Sequence, residues 1–207
     1  MPSKRQRDNS DTAARILDSA ERLVQSRGFN GFSYADVAAE LGVTKASLHY
    51  HFPGKAELGR ALVERYAARF AAALEGIDAA GGDAPAKLDA YTRIYADVLH
   101  QKRMCLCGML AADYETLPEP MREEVIRFFD HNESWLTAVL EEGQADGSIV
   151  LDGPASDAAQ ALVSGLEGAM LIARPYGDPD RFQAAATRLL ESLASAAPPE
   201  TARAAGA

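Results

Sequence analysis

Sulfur and aromatic side chains are scarce in this chain, which has two cysteines, one tryptophan and 7% aromatics in 207 residues. Cys105 and Cys107, one residue apart, cannot build the disulfide framework of a small secreted domain, which points to a reducing, cytoplasmic setting. β-Branched runs are almost absent, so a sheet-built fold is not expected. No apolar run approaches the roughly 20 residues that span a bilayer, and the basic opening "MPSKRQRDNSD" leads into no apolar signal core. No Ser/His/Asp, paired-carboxylate or glycine-rich phosphate motif is legible, and there are only four histidines. No cofactor, metal or membrane partner is therefore expected, and no catalysis.

Alanine and helical spacing are what the chain has in quantity. A hydrophobic fraction of 47% suffices for a sizeable core, either one large domain or a small module joined to a larger one. Six to nine helices and no convincing strand can be read, giving an all-α class. Ala13, Ile16, Leu17, Ala20, Leu23 and Val24 share a face of a first helix, with Asp11 or Thr12 as its expected cap and Gly28 as its end. "SYADVAAELG" is a short second helix capped by Ser33 and closed by Gly42, and "TKASLHYHF" a third, capped by Thr44. After Pro53-Gly54 a long fourth helix runs to about Ile77, followed by a loop, "DAAGGDAP", with Pro85 in the next helix's first turn. Four or five further amphipathic segments follow. "SIVL" is at most an isolated extended piece. Residues 197–207 are expected to form a disordered tail.

The formal net charge of -9 argues at first against a nucleic-acid partner, but the charge is unevenly spread. Residues 1–60 carry 9 Lys+Arg against 7 Asp+Glu, or +2, and residues 61–207 carry 12 against 23, or -11. A slightly basic head on an acidic body suits a small polyanion-binding module attached to a domain that never touches the polyanion.

Two short helices separated by "GVT" have the layout of a helix-turn-helix. Gly42 suits the left-handed turn, Ala38 is small where the helices cross, and Val43 closes the corner. Thr44, Lys45, Ser47, His49 and Tyr50 then line the outward side of the second helix, while Leu48 and Phe52 face inward. With "ADVAAELGVTKASLHYHFPGKAEL", Ala35 to Leu58, the sequence resembles the TetR family of transcriptional regulators. The resemblance is close over about the first quarter of the chain. Beyond it, only length and the all-helical pattern agree.

The resemblance implies an N-terminal three-helix DNA-binding domain (residues 1–54) followed by a larger helical effector-binding and dimerisation domain (residues 55–196). Thr44, Lys45, Ala46 and Ser47 would open the recognition helix in the major groove, Tyr50 and Lys55 would hold phosphates, and Tyr34 would assist from the preceding helix. His49 departs from the tyrosine most frequent in the family at that position, though an imidazole can still donate to a phosphate or base. Lys4, Arg5 and Arg7 could act as a minor-groove arm. A homodimer on a palindromic operator of double-stranded DNA is implied, with Ser164, Gly165, Gly168, Phe182, Leu189 and Leu193 of the last two helices as its interface. The alternative for these helices is intrachain core.

For the effector, candidate pocket residues are Tyr91, Tyr95, Met109, Tyr114, Phe128, Asn132, Trp135, Met170 and Arg174. Aromatic and methionine side chains with a few polar tips equally describe core. On a helix, Cys105 and Cys107 point about 200° apart, and metal binding would lack recognised ligand spacing. They are either core residues or a thiol that senses an oxidant or electrophile, since Lys102 and Arg103 stand just before. The reading is a ligand-responsive repressor released by a small molecule or a thiol-reactive effector. A helical adaptor that uses the motif for protein contacts is the alternative, and an enzyme a more distant one.

Overall fold

The computed structural model describes residues 4–194, with side chains from Asp11 to Leu193. Among these residues there are nine α-helices and no strand: α1 (Lys4–Arg27), α2 (Tyr34–Leu41), α3 (Lys45–His51), α4 (Lys55–Ala80), α5 (Ala84–His100), α6 (Leu106–Ala112), α7 (Glu119–Asp146), α8 (Ala155–Tyr176) and α9 (Pro179–Ala194). A single 3₁₀ turn, Tyr114–Thr116, separates α6 from α7. The all-α class is thus established, and no described helix is long and apolar enough to cross a membrane.

Two boundaries differ from expectation. The first helix begins at Lys4 rather than at an Asp11 or Thr12 cap, because "KRQR" consists of good helix formers that need no apolar stripe to continue the spiral. Helix α4 runs to Ala80, so the expected loop contracts to Gly81, Gly82 and Asp83, with both glycines at positive φ (72° and 119°). The Asp83 carboxylate then accepts the Ala86 N–H at 3.0 Å and caps α5. "SIVL" stays irregular, held by Ile149 N–H to Gly143 O and Val150 N–H to Leu193 O. The expected tail and the side chains of the basic arm lie outside the described residues.

The chain packs as two compact units. The first contains α1–α3, most of α4, the end of α5, α6 and the first half of α7. Ile16, Val24, Val37, Leu48, Leu58, Leu62, Leu106, Leu110 and Met121 are completely buried in it, each contributing about 1.5–3 kcal/mol of transfer free energy. Glu21 is buried on α1, where it accepts from Arg65 at 2.9 Å and from Arg69, while Arg65 also reaches Asp18 at 2.8 Å. A buried carboxylate needs cations beside it, so these contacts hold α1 in one register on α4.

The second unit contains the last turn of α4, most of α5, the second half of α7, α8 and α9. Leu88, Tyr91, Leu136, Leu140, Leu166, Met170, Phe182 and Ala186 form its core. Here α8 packs along α9, and a Cβ on Gly165 would lie 2.8 Å from Leu189.

Two glycines of α4 should respond oppositely to alanine. A Cβ on buried Gly59 would fall 2.4 Å from Met121 Sδ and 2.9 Å from the Phe29 ring. Gly59→Ala should therefore lose about 1–3 kcal/mol through overpacking. Gly76 has open space around it, and Gly76→Ala should gain about 0.5–1 kcal/mol from helix propensity. Urea midpoints of the two variants test this; equal signs would refute it.

Candidate nucleic-acid interface

Local chemistry builds the α2–α3 pair. At the start of α2, the Asp36 carboxylate accepts the Ser33 N–H at 2.7 Å and the Ser33 hydroxyl at 2.6 Å, contacts that hold this carboxyl below the usual carboxylate range. Gly42 closes α2 at φ 67°, its N–H returning to Ala38 O. Thr44 lies in extended conformation, and its hydroxyl accepts the Ser47 N–H at 3.2 Å to start α3. Leu48 is fully buried, so the remaining side chains must point away from the core. Thr44, Lys45, Ala46, His49 and Tyr50 are exposed, Tyr50 by 73%, and Ser47 is half-buried. One face of α3 thus offers a hydroxyl, an ammonium, an imidazole and a phenol, with a methyl group among them.

Tyr34 and Lys55 do not join that face. The Tyr34 hydroxyl lies 2.8 Å from Phe52 O and 2.7 Å from Gly54 O and shares its hydrogen between them. Burial, reinforced by the Glu57 carboxylate, pushes this phenol up to about 12. The Lys55 ammonium donates to Phe29 O and Phe32 O, both at 2.6 Å, and sits 4.6 and 4.4 Å from the centres of the two phenylalanine rings. Burial lowers its pKa, and Asp113 and Asp36 oppose that effect. Both donors are engaged on backbone carbonyls of the loops that flank α2 and α3.

Asp113, which sequence reasoning missed, completes this anchor. Its carboxylate accepts the Phe29 N–H at 2.7 Å, and Asn30 donates to Thr116 at 2.7 Å. With 84 residues separating Asp113 from Phe29, no local pattern could have revealed the pairing.

The candidate effector residues fall into separate groups. In the second unit Tyr91, Tyr95 and Asn132 are buried together. The Tyr91 hydroxyl donates to Asn132 Oδ1 at 3.1 Å and lies 3.0 Å from the Tyr95 hydroxyl. The Trp135 ring stacks on Tyr91 at 5.7 Å, and its N–H donates to Asp78 at 2.8 Å. Met170 is fully buried and Arg174 exposed in the same unit. In the first unit Phe128 packs edge-on to Phe70 at 5.1 Å and against Tyr66 at 5.7 Å. Met109 and Tyr114 are half-buried there, Tyr114 beneath the Arg122 guanidinium at 5.4 Å.

Both thiols are buried. Cys105 occupies the N-cap of α6, with the Tyr66 hydroxyl 3.6 Å from its sulfur, and Cys107 lies in the first turn. No group of three potential metal ligands occurs among the described residues.

The expected dimer residues also divide. Phe182 is 1% exposed within its own chain, and Gly165 accommodates Leu189, so these three serve α8–α9 packing inside the chain. Leu193 is half-buried, and its carbonyl accepts from Val150. Ser164 and Gly168 remain exposed, on the α8 face that also carries exposed Leu171 and Ile172.

Comparison with known proteins agrees with this architecture. Residues 16–62 match the family described as bacterial regulatory proteins, tetR family, and residues 84–189 match the tetracyclin repressor-like C-terminal domain. The transcriptional regulator AcuR of Cereibacter sphaeroides is 29% identical over 169 residues, covering 80% of this chain and 77% of the relative. A TetR-family regulator from Agrobacterium tumefaciens superposes with a TM-score of 0.87 at 35% identity, covering 90% of this chain and 100% of that one. The reduced form of Escherichia coli NemR superposes at 0.77 with 27% identity and the same coverages.

The buried phenol of Tyr34 makes an alkaline prediction. The folded chain keeps that proton above pH 10, where the unfolded chain releases it. The stability it contributes is full below about pH 10 and is lost as pH rises toward about 12. Urea midpoints measured across that range should fall less steeply in Tyr34→Phe than in the parent protein; identical slopes would show that the phenol is not held in this way.

Proposed function

Because the chain belongs to the TetR family of bacterial regulatory proteins, a family of DNA-binding transcriptional regulators and not enzymes, we propose that it is a cytoplasmic homodimeric repressor acting on a palindromic operator. The observation that carries this reading is the outward face of α3. A fully buried Leu48 pins the helix while Thr44, Lys45, Ala46, Ser47, His49 and Tyr50 face outward or lie at its edge. In this reading residues 1–54 form the DNA-binding domain, with Lys45 and Tyr50 as phosphate contacts and the first turn of α3 against base edges. Residues 55–196 form the effector and dimerisation domain. Tyr34 and Lys55 support the interface from behind.

Dimerisation follows from an unsatisfied surface. Ser164, Gly168, Leu171 and Ile172 recur at helical spacing on one face of α8, where Leu171 and Ile172 are 57% and 59% exposed. A second copy set against this face would give the assembly two α3 helices, matching the two half-sites of a palindromic operator, which lie about 34–36 Å apart.

Release requires an effector that favours the non-binding spacing over the DNA-bound one. The buried Tyr91–Tyr95–Asn132 hydrogen bonds beside Trp135 support a small amphipathic molecule, which could exchange its own polar group into that network. A thiol-reactive effector is the second reading. It is favoured by the placement of Cys105 at the start of α6 beside the Tyr66 hydroxyl, and by the likeness to NemR.

Two measurements test the proposal. Lys45→Ala and Tyr50→Phe should each weaken binding to the DNA just upstream of the protein's own gene, by roughly fivefold or more, with the dimer intact. Unchanged affinity in gel shifts for both would remove α3 from the interface. The double variant Leu171→Asp/Ile172→Asp should sediment as a folded monomer with unchanged helical circular dichroism, whereas a persistent dimer would place the contact elsewhere.

A further inference from the structure

The imidazole of His49 stands on the reading face in a defined orientation. Its Nδ1 lies 2.9 Å from Pro53 O, a carbonyl that can only accept, so Nδ1 carries a hydrogen in every protonation state. The ring is backed by Tyr34, with centroids 4.7 Å apart, and Tyr34 is itself tied to Phe52 O and Gly54 O. An imidazole's two nitrogens lie on opposite edges. With Nδ1 turned to the loop, Nε2 is left on the exposed edge, and His49 has no other protein partner among the described residues.

This geometry gives Nε2 two opposite characters. In the neutral ring, the tautomer required by Pro53 makes Nε2 a lone-pair acceptor, which repels a phosphate oxygen. In the protonated ring, Nε2–H becomes a charged donor aimed outward, while the bond to Pro53 persists unchanged. A tyrosine or lysine in this place would donate at any ordinary pH, so the histidine makes the contact conditional. Imidazole is the side chain whose ordinary titration falls between pH 5 and 8.

We propose that His49 is a proton-gated phosphate contact, so that this regulator grips its operator more tightly as pH falls through the physiological range. The inference rests on the assignment of α3 as the DNA-reading helix and adds a regulatory input at that same surface, separate from the effector. An anion beside an imidazole favours its charged form, so DNA binding takes up protons and, reciprocally, acid strengthens binding.

The charged and titratable neighbours do not supply this gate. Lys45, one turn earlier on α3, is exposed and carries an amine, which does not switch between pH 5 and 8 as an imidazole does. The Tyr34 phenol from α2 stays protonated up to about 12. From α4, the Lys55 ammonium is turned to Phe29 O and Phe32 O, and the Glu57 carboxylate acts on Tyr34. His51, the other imidazole of α3, is half-buried and edge-on to Tyr50 at 5.2 Å.

The test uses the full-length protein and a fluorescein-labelled mixed-sequence duplex of about 40 base pairs, because a phosphate contact acts on any sequence. Anisotropy titrations over a range of salt concentrations, at about pH 6 and about pH 8, give the slope of log K against log salt. The slope should steepen at the lower pH by about 0.9 for each imidazole that becomes charged. His49→Gln should show one slope at both pH values, and His49→Arg the steeper slope at both. His51→Gln should keep the pH-dependent change. The proposal is overturned if the parent slope does not change with pH, or if His49→Gln retains the full change. Should the duplex not bind at either pH, the DNA-reading assignment itself fails; salt-dependent binding with a pH-independent slope removes only the proton gate.

Discussion

An ammonium group enclosed by the loop it organises determines where the reading head sits. Lys55 begins α4, yet its Nζ reaches back to two carbonyls of the α1–α2 loop and lies against both phenylalanine rings of that loop. Desolvation of the cation is unfavourable, which is visible in its lowered pKa; the carbonyl dipoles, the ring faces and the Asp113 carboxylate offset it. Because the loop positions Ser33, and Ser33 with Asp36 starts α2, the orientation of α3 inherits this one contact. Glu21 plays the matching part further along α4, where two arginines hold α1 against it. The α1–α2 region is therefore tied to α4 by partly buried charges as well as by apolar packing.

The second unit is organised differently. A neutral cluster lies in its interior: two phenols and an amide hydrogen-bonded to one another, with an indole stacked across Tyr91. Such a network is stable only while each donor finds an acceptor. Loss of any one partner would leave a buried phenol or amide unsatisfied, which costs the desolvation of that group.

Much of the fold was readable from sequence because its determinants are local. Ser33, Gly42 and Thr44 each act within four residues of their own position, and all three do what their side chains and backbone preferences suggest. The inward positions of α1 and the burial of Leu48 follow from periodicity in the same way. What could not be read depends on distant partners. Whether Lys55 turns toward a phosphate or toward Phe29 and Phe32 is decided by a loop more than 20 residues earlier, and Asp113 joins that loop from still further away. Small residues on α8 posed a similar ambiguity, since Gly165 and Gly168 look alike in sequence. Only packing reveals that Gly165 admits Leu189 of the same chain while Gly168 lies open. The start of α1 at Lys4 is hidden for a simpler reason: its first turns carry no apolar stripe, and helicity does not require one.

Cys105 and Cys107 are 2% and 0% exposed, with the Tyr66 hydroxyl against the first of them. A thiol enclosed in this way meets a reagent only during the moments when α6 lifts from its bed. When the helix recloses faster than the thiol reacts, the speed of modification is the open fraction multiplied by the reagent's rate with the exposed thiol. For any one reagent the two sulfurs then measure the breathing of the helix that Asp113 closes, and whatever stills that helix slows their modification.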